Sequence, residues 1–317
     1  MKKVLFATTA LVASAGIASA EVASSGSAEM GVRSVNGGDL EFHQSVDIRF
    51  TMTGETDNGL TFGATIDLDD AVEMAIRGND TADVGSNELA DFTVFISGSF
   101  GTLTMGDTDG ALDWAMTDLD QIGDISDANT SHAGFNGNGN ADGAHDGQVV
   151  RYNYAFGDFS FAVSAEMDDD GVFDPTLGIG GKYSADLGGV TLGVGLGYQS
   201  GEVLGSDFDV YGVSVDVAMS NGLRGIVNYS SIDVLGVNID HIGVGLFYKM
   251  DALSVGVNYG EFSSDGVSDN GFGLAANYDL GGGASVRFGY GDNSTCDFGF
   301  NCTNTESSYS LGLKMSF

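Results

Sequence analysis

The chain has 317 residues and a formal net charge of −34, from 45 Asp and Glu against 11 Lys and Arg. So acidic a balance excludes nucleic acid as a partner, because its phosphates repel the chain. Fifty Gly and a single Pro argue against a helical fold and against Pro-rich disorder, and 42% hydrophobic residues are too many for a disordered chain.

The first twenty residues are typical of a secretory signal. Lys2 and Lys3 form a basic start, the stretch 4–17 is mostly apolar, and Ala18 to Ala20 is a small-residue cleavage site. The apolar part is too short to span a membrane as a helix. The sequence therefore predicts a signal peptide over residues 1–20 and one exported domain over residues 21–317, with no transmembrane helix later in the chain.

Short segments with alternating apolar and polar residues run through the rest of the chain. The pattern is clearest at the end, where Tyr309, Leu311, Leu313, Met315 and Phe317 occupy every second position. Side chains alternate faces along a strand, so each segment predicts a strand with one apolar face. In chain order the predicted strands are 26–34, 40–54, 60–68, 88–100, 102–106, 148–156, 158–166, 176–184, 189–199, 209–219, 222–230, 240–249, 252–260, 270–278, 284–291 and 308–317.

The connections between these strands alternate in length. Links after even-numbered strands are short, and most links after odd-numbered strands are longer and acidic. An even strand count with short turns on one rim is the pattern of outer-membrane barrels, and aromatic residues near the strand ends fit interfacial girdles. The sequence thus predicts an all-β, 16-stranded antiparallel transmembrane barrel, whose apolar face meets lipid and whose polar face lines water.

The predicted alternation places every strand-borne base on the water-lined face. Those residues are Arg33, Arg49, Arg151, Lys182, Arg224, Lys249, Arg287 and Lys314. Several glycines share that face, and we interpret them as positions that ease sheet curvature. They are Gly193, Gly195, Gly197, Gly243 and Gly245.

The longest irregular stretch, 107–147, contains the only Trp, Trp114, and no Lys or Arg. Loops of this length are usually functional or disordered. It contains nine acids: Asp107, Asp109, Asp113, Asp118, Asp120, Asp124, Asp127, Asp142 and Asp146.

Together, the signal ending in Ala-Ser-Ala, the sixteen alternating segments, the long third loop and the terminal Phe317 resemble the general bacterial porins, especially those of alphaproteobacteria. The resemblance implies passive diffusion of small hydrophilic solutes and ions across the outer membrane of a Gram-negative bacterium. It also implies a homotrimer, a third loop folded into the bore, and a terminal strand recognised through Phe317 by the barrel-assembly machinery. Enteric relatives have a Pro-Glu-Phe-Gly turn in that loop, whereas this loop has no Pro, so its path is not fixed by the resemblance.

If the third loop enters the bore, its carboxylates face bases on the wall. We predict a constriction with Arg33, Arg49, Arg151 and His43 on the wall opposite Asp107, Asp109, Asp113, Asp118 and Asp120 on the loop. Rings of charge select ions by sign, and the excess of acids predicts a preference for cations. The alternative is that each Arg pairs with wall acids such as Asp47.

The remaining predictions concern the outer loops. Cys296 and Cys302 are predicted to form a local disulfide, because the exported chain meets an oxidising compartment. No cofactor is expected, apart from Ca²⁺ or Mg²⁺ bridging acidic loops to lipopolysaccharide and membrane lipid; simple solvation of those loops is the alternative. The acids concerned are Asp168, Asp169, Asp170, Asp265 and Asp269.

Three other functions are weaker. A substrate-selective channel, for example for sugars, needs an aromatic track on the inner face, and few aromatics share that face (Phe95 and Phe247 do). An enzyme needs a His beside a nucleophile or acid, but His43 and His241 lie on distant strands, so no enzyme activity is expected. A calcium-binding adhesin needs a nine-residue Gly/Asp repeat, which is absent.

Overall fold

In a computed structural model, the chain is described over residues 21–68, 91–145, 147–168, 171–203, 205–296 and 302–317, and for 293–296 and 302–306 the description covers only the backbone. The predicted signal over residues 1–20 lies outside these ranges. Within them, no helix has the length and hydropathy needed to cross a membrane.

Sixteen strands form one closed antiparallel sheet in which each strand pairs with its neighbours in sequence and β1 pairs with β16. The strands are β1 Glu21–Ser34, β2 Glu41–Glu55, β3 Thr61–Leu68, β4 Asp91–Gly98, β5 Gly101–Gly106, β6 Val149–Phe156, β7 Phe159–Glu166, β8 Thr176–Asp186, β9 Val190–Val203, β10 Ser206–Met219, β11 Leu223–Val234, β12 Val237–Met250, β13 Leu253–Ser264, β14 Val267–Gly281, β15 Ala284–Cys296 and β16 Cys302–Ser316. One short helix, α1 (Ala111–Ala115), follows β5. The predicted 16-stranded barrel is confirmed.

The barrel closes at the end of the chain. Met30 of β1 lies opposite Leu313 of β16. Phe317 N–H donates to the Gly26 carbonyl at 2.9 Å, and Gly26 N–H donates to the Phe317 carbonyl at 3.2 Å. The last residue therefore completes the seam with its backbone, while the predicted recognition of Phe317 during assembly stays a prediction.

The two faces of the sheet differ as the alternation predicts. Large apolar side chains are exposed on the outer face all round the barrel, for example Phe42 at 94%, Leu196 at 58% and Leu246 at 52%. Polar side chains such as Gln199 and Asn228 are buried on the inner face. This inverted distribution fits a barrel with lipid outside and water or polar groups inside.

The strand register places all eight strand-borne bases on the inner face. In β15 and β16, for example, Arg287 lies opposite Gly312, and Lys314 lies opposite Ser285. Leu313, between Gly312 and Lys314, faces outward opposite Val286. A base on the lipid-facing side costs about 2–4 kcal/mol at the membrane midplane, so this segregation is physically required.

Several predicted outer loops are instead continuations of hairpins. The turn between β13 and β14 is only Asp265 and Gly266, and both have the positive φ that a two-residue hairpin turn requires. The sequence prediction of a longer acidic loop there was wrong. Strands that extend beyond the lipid no longer need an apolar outer face, so the alternation that identifies a strand disappears. The longer strands also add Phe208 and Phe262 to the aromatic residues in inner-face register.

We expect Leu246→Arg, in the outer face of β12, to lower the free energy of unfolding in lipid vesicles by about 2–4 kcal/mol, because it buries a charge in hydrocarbon. Urea unfolding followed by gel mobility measures the change. Thr65→Arg, on the inner face of β3 opposite Thr51 and Thr93, is the matched control and should change stability little. Equal losses in the two variants would contradict the assignment of the faces.

Candidate pore constriction

The segment between β5 and β6 binds the inner face of the wall along much of its length. Its hydrogen bonds to the wall include Ala111 N to Ser164 Oγ at 2.8 Å, Thr117 N to Ser214 Oγ at 3.0 Å, Asn228 Nδ2 to Thr117 O at 2.7 Å, Asn136 Nδ2 to Ser230 Oγ at 3.2 Å, Asn258 Nδ2 to Asn129 O at 3.2 Å and Ser310 Oγ to Asp124 Oδ2 at 2.5 Å. These partners are inner-face residues of β7, β10, β11, β13 and β16. We infer that the segment lies inside the barrel.

Glycines of the wall allow this close approach. A Cβ added at Gly195 would collide with the Ala115 carbonyl, and one added at Gly180 would collide with the Ala111 carbonyl. The same is true of Gly197 against Leu112, Gly243 against Leu119, Gly260 against Gly134, Gly273 against Asn129, Gly291 against Ala128 and Gly312 against Ile125. Clearance for the segment, rather than sheet curvature, therefore explains Gly195, Gly197 and Gly243.

Apolar side chains fix the first half of the segment. Leu112 and Met116, at either end of α1, pack with Phe208 and Val210 of β10 in a buried cluster. A second cluster joins Leu119 to Ile226 and Phe247. The inner wall thus has two small apolar cores where the segment excludes water, although most of that face is polar.

A buried carboxylate holds the other end. Glu166, at the end of β7, is 2% exposed. Its two oxygens accept backbone N–H groups from Gly143 at 3.0 Å, His145 at 2.9 Å and Gly147 at 3.2 Å. Hydrogen bonds from backbone N–H groups stabilise a buried carboxylate, so Glu166 fixes the return of the segment towards β6.

Two histidines fix the middle of the segment. His132 Nε2 lies 2.6 Å from Asn258 Oδ1, and His241 Nε2 lies 3.0 Å from the Gly134 carbonyl. Both imidazoles are buried at the contact between the segment and β12–β13. They act here as packing and hydrogen-bonding groups.

Two of the predicted wall arginines bind acids of adjacent strands. Arg33 Nε lies 2.8 Å from Glu41 Oε1, and Arg49 Nε lies 2.7 Å from Asp67 Oδ2. Each guanidinium therefore has a wall carboxylate as a partner, which is the alternative that the sequence left open. Their predicted role at a constriction stays a prediction.

The predicted wall histidine belongs to a network at the barrel seam. His43 Nε2 lies 3.2 Å from Glu29 Oε2, while Lys314 Nζ lies 2.9 Å from the other oxygen of Glu29. Ser126 N–H of the segment also donates to Glu29 at 3.3 Å. Glu29 thereby joins three strands and the segment. The alternation of apolar and polar residues in β1 does not predict this role.

Arg151 is the predicted wall residue that the structure brings to the predicted loop acids. Its guanidinium donates to the Asp109 carbonyl oxygen and lies 3.7 Å from the Asp109 carboxylate. Asp113 lies close by. Burial, together with repulsion from Asp109, Asp142 and Asp118, raises the pKa of Asp113 to about 7, although Arg151 acts in the opposite direction.

The other predicted loop acids have more local partners. Asp107 directly follows β5. Asp118 Oδ1 accepts the Asp120 N–H at 3.1 Å, and Asp120 Oδ1 accepts Gly123 N–H at 3.0 Å and Asn129 Nδ2 at 3.1 Å. Asp118 and Asp120 therefore shape a turn of the segment itself.

Two further acids of the segment lie against the wall, Asp124 buried and Asp142 half-buried. Asp124, 3% exposed, has its pKa raised to about 7 by burial, despite the hydrogen bond from Ser310. Burial also raises the pKa of Asp142 to about 6, against hydrogen bonds from Gly110 N and Gln199 Nε2 that are both 2.6 Å long. Near neutral pH the segment thus carries fewer negative charges than it has acidic residues.

Comparisons with known proteins agree with this architecture. A sequence model of the Gram-negative porin family matches residues 7–297. The chain belongs to the Gram-negative porin family. A porin of Rhodobacter capsulatus is 30% identical over 324 residues, covering 94% of this chain and all of the relative.

Solved structures show the same barrel. A porin structure refined at 1.8 Å superposes with a TM-score of 0.74 at 25% identity, covering 94% of this chain and all of the other. A triple mutant of Rhodopseudomonas blastica porin, at 19% identity, has a TM-score of 0.66, and an anion-selective porin from Comamonas acidovorans, at 16%, has 0.64; each is covered in full by 94% of this chain. At these two identities the likeness concerns the fold alone. The chain is accordingly a multi-pass outer-membrane porin channel.

Two other inner-face bases, near the short-turn ends of their strands, meet the segment. Arg224 forms a two-pronged ion pair with Asp216 at 2.8 and 2.7 Å, and it also binds Gln121 of the segment. Arg287 Nη1 lies beside Gly123. The sequence predicted that these bases lie on the inner face. Their contacts with the segment become visible only from the path that the segment takes through the barrel.

The predicted disulfide and divalent-ion sites stay predictions. The register places Cys296 directly opposite Cys302, but their side chains lie outside the described part of the chain. Asp169 and Asp170 also lie outside it. Among the residues that the structure describes, no group of three His, Cys, Asp or Glu is arranged to hold a metal ion.

We expect Gly195→Leu to lower the single-channel conductance, because the new side chain displaces α1 from the wall into the free part of the bore. Gly225→Leu on β11 is the matched control, since a Cβ there meets no atom within 4 Å. Planar-bilayer recordings compare the two. A normal conductance in Gly195→Leu would contradict the docking of the segment.

Proposed function

We propose that this porin provides a water-filled passage between the docked segment and the wall formed by β2–β5, through which small hydrophilic solutes and ions diffuse, with a preference for cations. The segment contacts the inner face of β6–β16 and of β1 through hydrogen bonds and glycine contacts, which favours a passage on the opposite side. No enzymatic activity is proposed.

The observation that carries the cation preference is the pairing of the wall bases. Wall acids already neutralise Arg33, Arg49, Arg224 and Lys314 within ion-pair distance. Four of the eight strand-borne bases are thus paired within the wall, and the acids of the segment add negative charge to it. Fixed charge at a narrow, partly desolvated passage attracts ions of the opposite sign.

Membership of the family supports a proposal for assembly and partners. We propose a homotrimer in outer-membrane lipid and lipopolysaccharide, inserted by the barrel-assembly machinery. The short strands β3 to β5 offer a low outer wall with exposed Phe62, Phe92, Val94, Leu103 and Met105, which favours contact with another subunit. Unheated gel mobility tests this, since a trimer should convert to monomers only on heating.

A reversal potential under a salt gradient tests the selectivity directly. We expect the purified protein in a planar bilayer to give a cation-selective potential, because acids of the segment outweigh the unpaired bases. Asp109→Asn should reduce it, and Asp279→Asn, at the short-turn rim, is the control. An anion-selective wild type would contradict the cation preference but leave the channel itself intact.

The selectivity should also depend on pH. Because the pKa of Asp113 is raised to about 7, this carboxyl is mostly neutral at about pH 5 and mostly charged at about pH 8. We therefore expect the permeability ratio of K⁺ to Cl⁻ to rise between these values. In Asp113→Asn the rise should be smaller. A ratio that is constant across this range in the wild type would contradict the burial of Asp113.

A further inference from the structure

The ammonium group of Lys182 lies over the only Trp of the chain. Lys182 Nζ is 4.3 Å from the centre of the Trp114 ring. Lys182 belongs to the inner face of β8, whereas Trp114 belongs to α1 of the segment. The contact therefore joins the wall to the segment near Asp109 and Asp113, two of the predicted constriction acids.

Helix α1 is fixed against the wall, which restricts the orientation of the Trp114 ring. Ala111 packs against Gly178 and Gly180 of β8, and Ala115 against Gly195 of β9. With both ends of the helix fixed on glycines, Trp114 is directed to the neighbouring inner-face position on β8, which is Lys182.

Lys182 lies among other charged groups, so the position of its ammonium group affects the local charge of the passage. Arg151, Asp109 and Asp113 are the charged groups that act on it. Asp109 is already bound by Arg151. Among the described residues, no carboxylate lies within ion-pair distance of Lys182. The partner of its ammonium group in this part of the chain is therefore the Trp114 ring.

We propose that Trp114 is a positioning residue for ion selectivity: it holds the Lys182 ammonium on its ring and so keeps that charge from neutralising Asp113. A cation over an indole face is favourable but weaker than a good ion pair, and the lysine stem is long and flexible. Without the ring, the ammonium moves to the carboxylates or into the passage, and either position makes the constriction less negative.

This role deepens the proposed cation-preferring channel and rests on it, but its test does not depend on the sign of the wild-type selectivity. Trp114→Leu changes no charge, so a merely structural ring would alter conductance and leave the reversal potential unchanged. A ring that positions Lys182 would shift the reversal potential towards Cl⁻.

The test is a double-mutant cycle in planar bilayers with Trp114→Leu, Lys182→Gln and the double variant. We expect Trp114→Leu to lower the K⁺ to Cl⁻ permeability ratio by about twofold, the order expected from one cation–π contact at a partly exposed site. In the Lys182→Gln background the same change should have no effect on the ratio. Trp114→Phe, which keeps a weaker aromatic face, should give an intermediate shift.

Two results would overturn the proposal: an unchanged ratio in Trp114→Leu, or an equal shift with and without Lys182. Gel mobility of each unheated variant confirms that the barrel has folded. If the wild type proves anion-selective while the cycle still shows coupling, the proposed cation preference fails and the role of Trp114 stands.

Fluorescence gives an independent readout, because Trp114 is the only Trp. Lys182→Gln removes a positive charge from the ring, so quenching by Cs⁺ should increase and quenching by iodide should decrease. Identical quenching by both ions in wild type and variant would also overturn the proposal.

Discussion

The close approach of the long segment to the inner wall is the constraint on which the rest of this channel depends. A buried loop carries backbone groups that need partners, and here wall side chains such as Ser164, Ser214 and Asn228 supply them. That approach is possible only where the wall has no side chain, as at Gly195 and Gly260. The high glycine content therefore serves a particular contact, and the strand positions that most need glycine are those beneath the segment.

Lipid on the outer face determines where the bases are. Because a charge in hydrocarbon is costly, every strand-borne Arg and Lys shares the bore with the acids of the segment. Part of the resulting charge is cancelled locally, as between Arg224 and Asp216 or Arg33 and Glu41. Around Asp113 and Lys182 the described residues form no such pair, so the position of a single side chain there affects the charge that ions meet.

Much of this architecture is predictable from the sequence, because one period governs it. The alternation predicted the number of strands, their two faces and the placement of all eight bases, because every second side chain of a strand faces lipid and must be apolar. Where lipid is absent the signal disappears, as in the extensions around Asp265. The path of the segment was also beyond prediction, because its partners are single glycines, serines and asparagines far apart in sequence. Arg33 shows the consequence: its face was predictable, but its partner, Glu41, was one of several acids within reach.

The segment also shows how stability and function are balanced in one structure. Burying Asp113 beside Asp109 and Asp142 opposes ionisation, and a free loop would relieve the repulsion by moving into water. This loop cannot, because the Leu112–Phe208 contact, Glu166 and the two histidines hold it at both ends and in the middle. These anchors supply the stability that the crowded acids lose. The acids can then remain crowded at the passage, where their field acts on ions.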